Sequence, residues 1–223
     1  MEQYSRTHRA GDVPAHESGV HGAARRVSRG IMQALELGQL VPGQRLVETD
    51  LAAQYDVGRN AVREAVQWLS AHGVIDATRH RSAAIRQFAP AEALDVLDVA
   101  EAILALAART AAFRYQAGPH RPLLKAALAE LEAADGAPEA LSRARRHFHR
   151  ALISIGSNRQ LERLYPAMGL HVLHAQYRRT GVGRPRLDDF RAMAAAIAGS
   201  DPHRAEAAVR AHFAWLRDAL GEG

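Results

Sequence analysis

The chain has no cysteine, a single lysine (Lys125) and few aromatic residues among its 223 residues. The lack of cysteine excludes disulfide bonds and thiolate metal sites, and leaves serine, threonine, lysine and carboxylate groups for nucleophilic chemistry. No apolar run approaches the roughly 20 residues that a membrane span needs. The first residues also lack the apolar segment of a secretory signal. We therefore expect a cytoplasmic protein without a membrane partner.

The charge of the chain is carried mainly by arginine. Lysine and arginine number 29 against 24 acidic residues, which gives a formal net charge of +5. This excess permits a polyanionic partner such as nucleic acid but does not by itself establish one.

The pattern of residues predicts a mostly α fold in two domains with a flexible arm. Residues 1–22 are polar and without periodicity, which is typical of a mobile arm. Residues 23–88 predict a winged helix-turn-helix of three helices and a small β-hairpin. Residues 89–223 predict an all-α helical bundle, to which the resemblance described below assigns effector binding and dimerisation.

Helical spacing and turn signals set the elements of the first domain. A first helix carries Val27, Ile31 and Leu35 and stops at Gly38. After a Pro-Gly turn, residues 45–47 can extend briefly. A short second helix is predicted over 50–55, with Thr49 as its N-cap. The third helix is predicted over 59–71, and a hairpin with its tip at 79–82 follows it.

The third predicted helix has one face suited to reading DNA. Arg59, Asn60, Arg63 and Gln67 lie opposite its apolar stripe, and the major groove admits one helix with such a face. An arginine fork can hold guanine O6 and N7 or grip a phosphate, and an asparagine can pair with adenine or a phosphate oxygen. An ordinary solvated helix face is the alternative interpretation.

The first domain resembles the DNA-binding domain of the GntR family of bacterial transcriptional regulators. The resemblance is carried by IMQALELGQLVPGQRLVETDLAAQYDVGRNAVREAVQWLSAHGVI, whose Gly, Pro and Arg positions are spread over many turns. It implies DNA contacts by Arg45, Arg59 and Arg63, and contacts at the minor groove by the wing tip, His80, Arg81 and Ser82. Gly58 stands where the family usually has serine, and Ser82 where a wing glycine is usual.

The sequence of the second domain predicts helices throughout. Apolar residues at three- and four-residue spacing predict helices over 91–117, 122–134, 138–155, 158–180, 186–198 and 202–220. Together with the winged helix, this domain resembles the FadR-like branch of the family, which has an FCD effector domain. The matching segments are RARRHFHRALISIGSNRQL and AIAGSDPHRAEAAVRAHF.

Many members of that branch hold a divalent metal with one Asp and three His. At the matching positions this chain has His149 and His212, with Arg145 in place of the carboxylate and Phe190 in place of the other histidine. At most His149 and His212 remain as metal ligands, and a structural or effector-binding metal typically uses three or four protein ligands.

Three interpretations of this site remain open. In the first, His149 and His212 are only polar groups within a helical bundle. In the second, Arg145 replaces the metal as the fixed charge that anchors an acidic effector. In the third, a metal is held by unmatched groups such as His171 and His174. His147 is expected to point elsewhere, because an offset of two residues turns it to another face of the helix.

The leading interpretation is a sequence-specific transcriptional regulator, a repressor by resemblance, which a small organic acid releases from its operator. The branch resemblance implies a homodimer on double-stranded DNA with a short inverted repeat. The alternatives are a metal-dependent hydrolase-like helical bundle and a ligand-independent architectural DNA binder. The lost carboxylate argues against the hydrolase, so we expect no enzymatic activity.

Overall fold

The computed structural model describes residues 22–76, 83–134, 137–178 and 186–221. The wing-tip residues of the sequence prediction, His80, Arg81 and Ser82, and the arm over 1–21 lie outside the described residues. Within the described residues, no helix is long and apolar enough to cross a membrane.

The first part of the chain is a winged helix-turn-helix. Its elements are α1 (Gly22–Glu36), α2 (Glu48–Tyr55), α3 (Arg59–Ala71), β1 (Ile75–Asp76) and β2 (Ala84–Ile85). The two strands pair antiparallel, with Ile75 opposite Ile85. The predicted extended segment at Arg45 is confirmed, because Arg45 bridges Ala84 at the edge of this small sheet.

The buried stripes of α1 and α3 form the core of the winged helix. Val27, Ile31 and Leu35 of α1 are buried, and α1 packs against α3. On α3 the buried residues are those predicted from the spacing: Val62, Ala65, Val66 and Leu69. Burying these side chains on one face of α3 leaves the opposite face in solvent.

The predicted start of α2 is wrong by two residues. The helix begins at Glu48, and the N-cap is Val47 rather than Thr49. The carbonyl of Val47 already accepts hydrogen bonds from the amides of Asp50 and Leu51, which fixes the first turn. The Thr49 hydroxyl instead bonds to the carboxylate of Asp50 at 3.3 Å.

The second part of the chain is an α-helical bundle. Its helices are α4 (Pro90–Arg114), α5 (Ala117–Ala133), α6 (Pro138–Gly156), α7 (Arg159–Leu164), α8 (Leu170–Gln176), α9 (Leu187–Ala198) and α10 (Pro202–Gly221). The long α4 lies in the middle, packed against α6 on one side and α10 on another. Small buried alanines, such as Ala107, Ala108 and Ala111, let the neighbouring helices approach it closely.

The predicted single helix over 158–180 is wrong. The segment divides into α7, a 3₁₀ turn over Tyr165–Met168 and α8. Pro166 has no amide hydrogen to continue an α-helix, and Gly169 adopts a φ of 70° that ends the turn. Asn158 caps α7, because its Oδ1 accepts from the amide of Gln160 at 3.0 Å.

The two parts meet backbone to backbone at two glycines. Gly73, after α3, and Gly169, before α8, both have positive φ. A Cβ atom on Gly73 would lie 2.8 Å from the carbonyl oxygen of Ala167, and one on Gly169 would lie 2.9 Å from the ring of Phe88. A larger residue at position 73 must push the end of the recognition helix away from the bundle, and one at position 169 must displace the buried ring of Phe88.

Polar contacts fasten this junction further. The side chain of Gln176 accepts from the amide of Phe88 and donates to its carbonyl oxygen, both at 2.9 Å. Arg178 donates to the carbonyl oxygen of Leu35 at 2.6 Å, and Arg146 forms an ion pair with Glu36. The end of α1 is thus held by α6 and by Arg178, and the segment between β2 and α4 is held by the last residue of α8.

Gly169→Ala is expected to lower the free energy of unfolding by about 1–2 kcal/mol, from the left-handed backbone alone. The contact with Phe88 should add to this loss. Urea denaturation of the full chain measures it. Gly118→Ala is the matched control, because a Cβ there meets no atom within 4 Å. Its position in the first turn of α5 predicts no loss. Equal stability of both variants would contradict a close-packed junction.

Candidate functional site

The exposed face of α3 presents the residues that the sequence predicts for DNA contact. Arg59, Asn60, Arg63 and Gln67 are exposed, and all lie opposite the buried stripe. Arg59 and Asn60 stand in the first turn and Arg63 one turn later, so the three share the N-terminal half of the helix. The N-terminal residues of a recognition helix are those that contact base edges in helix-turn-helix proteins.

The N-terminus of α3 is open to an anion. Gly58 is the N-cap, and no side chain caps the helix there. The first turn of α3 holds no acidic residue, and a Cβ on Gly58 would meet nothing within 4 Å. Unoccupied amide groups and the helix dipole favour negative charge at such a terminus. The glycine that replaces the usual serine therefore leaves room for a close approach.

Arg63 is held in place by Glu48 at the start of α2. Its Nε donates to Glu48 Oε2 at 3.1 Å, and the two side chains are 62% and 39% exposed. An exposed ion pair of this kind contributes about 0–1 kcal/mol, so a phosphate or a base can displace the carboxylate at little cost. The charge partner of Arg63 is thus a residue of the preceding helix, Glu48.

The bundle contains a buried polar cluster built from three helices. Arg145 and His149 come from α6, His174 from α8 and His212 from α10, and all four are more than nine-tenths buried. Phe190 of α9 lies among them, with its ring centroid 5.0 Å from that of His212 and 6.2 Å from that of His149. Residues far apart in the sequence are thus brought to one place inside the bundle. We call Arg145, His149, His174 and His212 the buried cluster.

Two further residues fix the imidazole rings of the buried cluster. His149 Nδ1 and the Tyr165 hydroxyl share a hydrogen bond of 3.0 Å. His212 Nδ1 donates to Asp189 Oδ2 at 2.9 Å. Burial raises the pKa of Tyr165 to about 12, so its hydroxyl keeps the proton that it can donate to His149.

Arg145 is the cation of the buried cluster, because burial keeps the histidines of the cluster neutral. Burial lowers the pKa of Arg145 to about 10, which leaves the guanidinium charged at neutral pH. The pKa of His149 falls to about 3, first through burial and then through His212 and Arg145. The pKa of His174 is also well below its ordinary value, mainly through burial. Burial lowers the pKa of His212 too, against the opposing effect of Asp189.

These residues do not fit a divalent metal. Among the described residues, no group of three His, Cys, Asp or Glu side chains is placed to hold a metal ion. Phe190 occupies the place of one expected ligand between His149 and His212, and Arg145 puts a positive charge where the branch has a carboxylate. A zinc ion needs three or four protein ligands around one point, and within the described residues the three histidines of the cluster are not placed in that way.

Sequence reasoning found only part of the buried cluster. His174 was noted solely as half of a possible metal pair with His171, and Tyr165 and Asp189 were missed. Their positions depend on how separate helices meet, and helical periodicity does not carry that information. The prediction that His147 points elsewhere is confirmed, because its exposed ring contacts Glu130 at 2.7 Å.

A winged helix with an exposed basic recognition face, joined to an all-helical bundle, is the arrangement of a DNA-binding regulator. Sequence comparison matches residues 23–85 to bacterial regulatory proteins of the gntR family and residues 95–214 to the FCD domain. The chain belongs to the GntR family and carries an FCD domain.

Individual proteins similar to this chain agree with that assignment. A Paenarthrobacter nicotinovorans protein named "Probable D-xylose utilization operon transcriptional repressor" is 27% identical over 190 residues, which cover 82% of each chain. E. coli McbR/YncC has a TM-score of 0.77 at 16% identity, covering 90% of this chain and 98% of its own.

A transcriptional regulator GntR from Rhodococcus sp. RHA1 has a TM-score of 0.68 at 22% identity, covering 89% and 96% of the two chains. These solved structures show the same fold. The gntR-family and FCD matches make the protein a DNA-binding transcriptional regulator. The hydrolase alternative finds no support in these comparisons.

The buried histidines predict acid-sensitive stability. His149 binds a proton near pH 3 when folded, against an ordinary value of 6.5. Between these values the unfolded chain binds more protons, so stability is complete above about pH 6.5 and falls as the pH is lowered. The expected slope for this group is on the order of 1 kcal/mol per pH unit, measured by urea denaturation at pH 7, 6 and 5.

His149→Gln should flatten that slope, because it removes one buried group that must be protonated on unfolding. His203→Gln is the control, since the exposed His203 ring meets water in both states. A slope unchanged in His149→Gln would contradict a neutral, buried His149.

Proposed function

We propose that the protein is a repressor that binds a short inverted repeat of double-stranded DNA as a homodimer. A small organic acid bound in the helical bundle releases it. The observation that carries the proposal is the pairing of an exposed basic recognition face on α3 with a buried cationic cluster in the bundle. The name of the Paenarthrobacter nicotinovorans relative supports the sign of regulation.

The DNA contacts we propose are made by the exposed residues of the winged helix. Arg63 reads a base edge in the major groove, while Arg59 and Asn60 hold phosphate or base edges near the open N-terminus of α3. Arg45 lies at the edge of the small sheet, beside the wing. His80, Arg81 and Ser82 at the wing tip are proposed to contact the minor groove.

A stripe of α4 supports the proposed dimer. Val99, Ile103, Leu106 and Phe113 are separated by four, three and seven residues, so they share one side of the helix. All four are at least partly exposed, and the Phe113 side chain is 80% exposed. An exposed apolar stripe on a central helix suits association with a second copy. Two copies place two recognition helices on two half-sites of one operator.

The buried cluster offers donors for a carboxylate. Arg145 supplies a fixed charge with a planar fork of N–H groups, which matches the two oxygens of a carboxylate. If His149 accepts from Tyr165 at Nδ1, the neutral ring carries its proton on Nε2 and can donate to the same anion. His212 donates from Nδ1 to Asp189, so its Nε2 is left to accept from a hydroxyl group of the acid. These partners favour a small organic acid over a neutral effector.

Arg63→Ala is expected to weaken operator binding by about 1–3 kcal/mol and to relax selectivity at one base pair of each half-site. An operator is first selected with the parent protein. Titration of the variant with this duplex and with duplexes that differ from it by one base pair measures both effects. Glu48→Gln should strengthen binding modestly, because it removes the carboxylate that competes for Arg63 and repels phosphate. Arg204→Ala, at an exposed position of α10, serves as the control. Equal weakening on all sequences would show that Arg63 holds phosphate instead.

Arg145→Gln is expected to abolish release by acid while leaving acid-free DNA binding intact, because the anchor of the effector is lost. The experiment screens small mono- and dicarboxylic acids for those that release the parent protein from its operator, then repeats the titration with the variant. Arg143→Ala, exposed on the same helix, is the matched control. Release of Arg145→Gln at the parent's acid concentrations would contradict the proposed anchor.

A further inference from the structure

A second cationic site lies between the winged helix and the bundle, apart from the buried cluster. A cavity of about 290 Å³ opens there, and its walls come from α1, the end of α3, α6 and the segment before and within α8. We call it the interdomain cleft. Its volume is at the lower end of the range of about 300–1,000 Å³ that is usual for small-molecule sites.

The cleft wall is strongly basic. Arg25 and Arg29 of α1 and Arg146 and Arg150 of α6 line it, and none of its lining residues is Asp or Glu. Arg146 is balanced by Glu36, which lies outside the lining. Within the described part of the chain, neither Arg29 nor Arg150 lies within ion-pair distance of a carboxylate. This excess of guanidinium groups favours a multiply charged anion.

Two buried polar atoms in the cleft have no hydrogen-bond partner among the described residues. They are the Ser28 hydroxyl and His171 Nε2. Ser28 is only 5% exposed, so bulk water does not compensate it. A buried donor or acceptor without a partner is costly, and native proteins rarely keep one without a ligand, ion or ordered water. Both residues line the cavity.

One wall of the cleft is aromatic and apolar. Trp68, from the recognition helix, stacks on His72 with ring centroids 3.8 Å apart. Met32 and Pro166 complete this side. A ligand that fills the cleft therefore needs an apolar or planar part next to its charged group.

We propose that the interdomain cleft binds a small organic phosphate, with its phosphate held by Arg29, Arg150, Ser28 and His171 and its apolar part against Trp68. A phosphate dianion matches the guanidinium groups and the uncharged donors better than a single carboxylate, because it offers three acceptor oxygens and up to two charges. His171 supplies a neutral ring at neutral pH. Its pKa falls to about 3 through burial and then through Arg146 and Arg150.

Because the end of the recognition helix lines the cleft, a ligand bound there can change the affinity of the protein for DNA. Trp68 and His72 belong to the last turn and the end of α3, so an occupied cleft sets how α3 sits on the bundle. Tyr165 lines the cleft and also bonds to His149 of the buried cluster, so the two sites share one side chain. Two ligands that act on the same side chain alter each other's affinity. This consequence rests on the proposed function, whereas binding in the cleft does not.

The test measures binding in the full chain without DNA, so that failure of the site can be told from failure of the proposed function. The chain has two tryptophans, and a Trp215→Phe background leaves Trp68 as the reporter. Phenyl phosphate should quench Trp68 fluorescence saturably, with one site per chain. It should bind about tenfold more tightly than inorganic phosphate, because its ring is buried. Benzoate, with a single carboxylate on the same ring, should bind more weakly than phenyl phosphate.

Variants of the lining locate the site. Arg29→Ala and Arg150→Ala should each weaken phenyl phosphate binding about tenfold. Ser28→Ala should weaken it about fivefold without lowering the thermal midpoint of the ligand-free protein. Arg204→Ala should change nothing. The proposal is overturned if quenching is not saturable or is matched by sodium chloride at equal ionic strength. Retained affinity in both arginine variants, or equally tight benzoate binding, also overturns it.

Discussion

The close approach of Gly73 to the turn before Gly169 is the constraint on which the rest of the structure depends. Gly73 ends the recognition helix, and the residues it touches lead directly into α8 of the bundle. Because the contact is made by backbone atoms, it has little room to adapt by side-chain rearrangement. A displacement of α8 must therefore move the end of α3 or break the junction.

Both candidate ligand sites lie along this connection. The buried cluster includes His174 of α8, and the interdomain cleft includes His171 one turn earlier on the same helix. Each site combines at least one guanidinium group with at least one imidazole that burial keeps neutral, which suits anions and disfavours metal ions. Arg145 stands where the branch that the chain resembles has a metal-binding carboxylate, and in the proposed function this cation holds the acid directly.

The sequence predicted those features that depend on local spacing. The buried stripe and the exposed arginines of α3 follow from helical periodicity, and Arg145 and His149 share a face because they are four residues apart. Helical periodicity does not predict which helices contact each other. The sequence therefore did not predict the hydrogen bond between Tyr165 and His149 or the interdomain cleft. The break near Pro166 was a local signal that the prediction of one long helix overlooked.

The reading of DNA by two copies of α3 is the central claim, and selection from a random pool of duplexes with the full chain tests it most directly. We expect enrichment of an inverted repeat whose half-sites lie about one helical turn or less apart, since a two-fold dimer imposes its symmetry on the operator. A pool that stays unenriched, or one that yields a motif without two-fold symmetry, would contradict that claim.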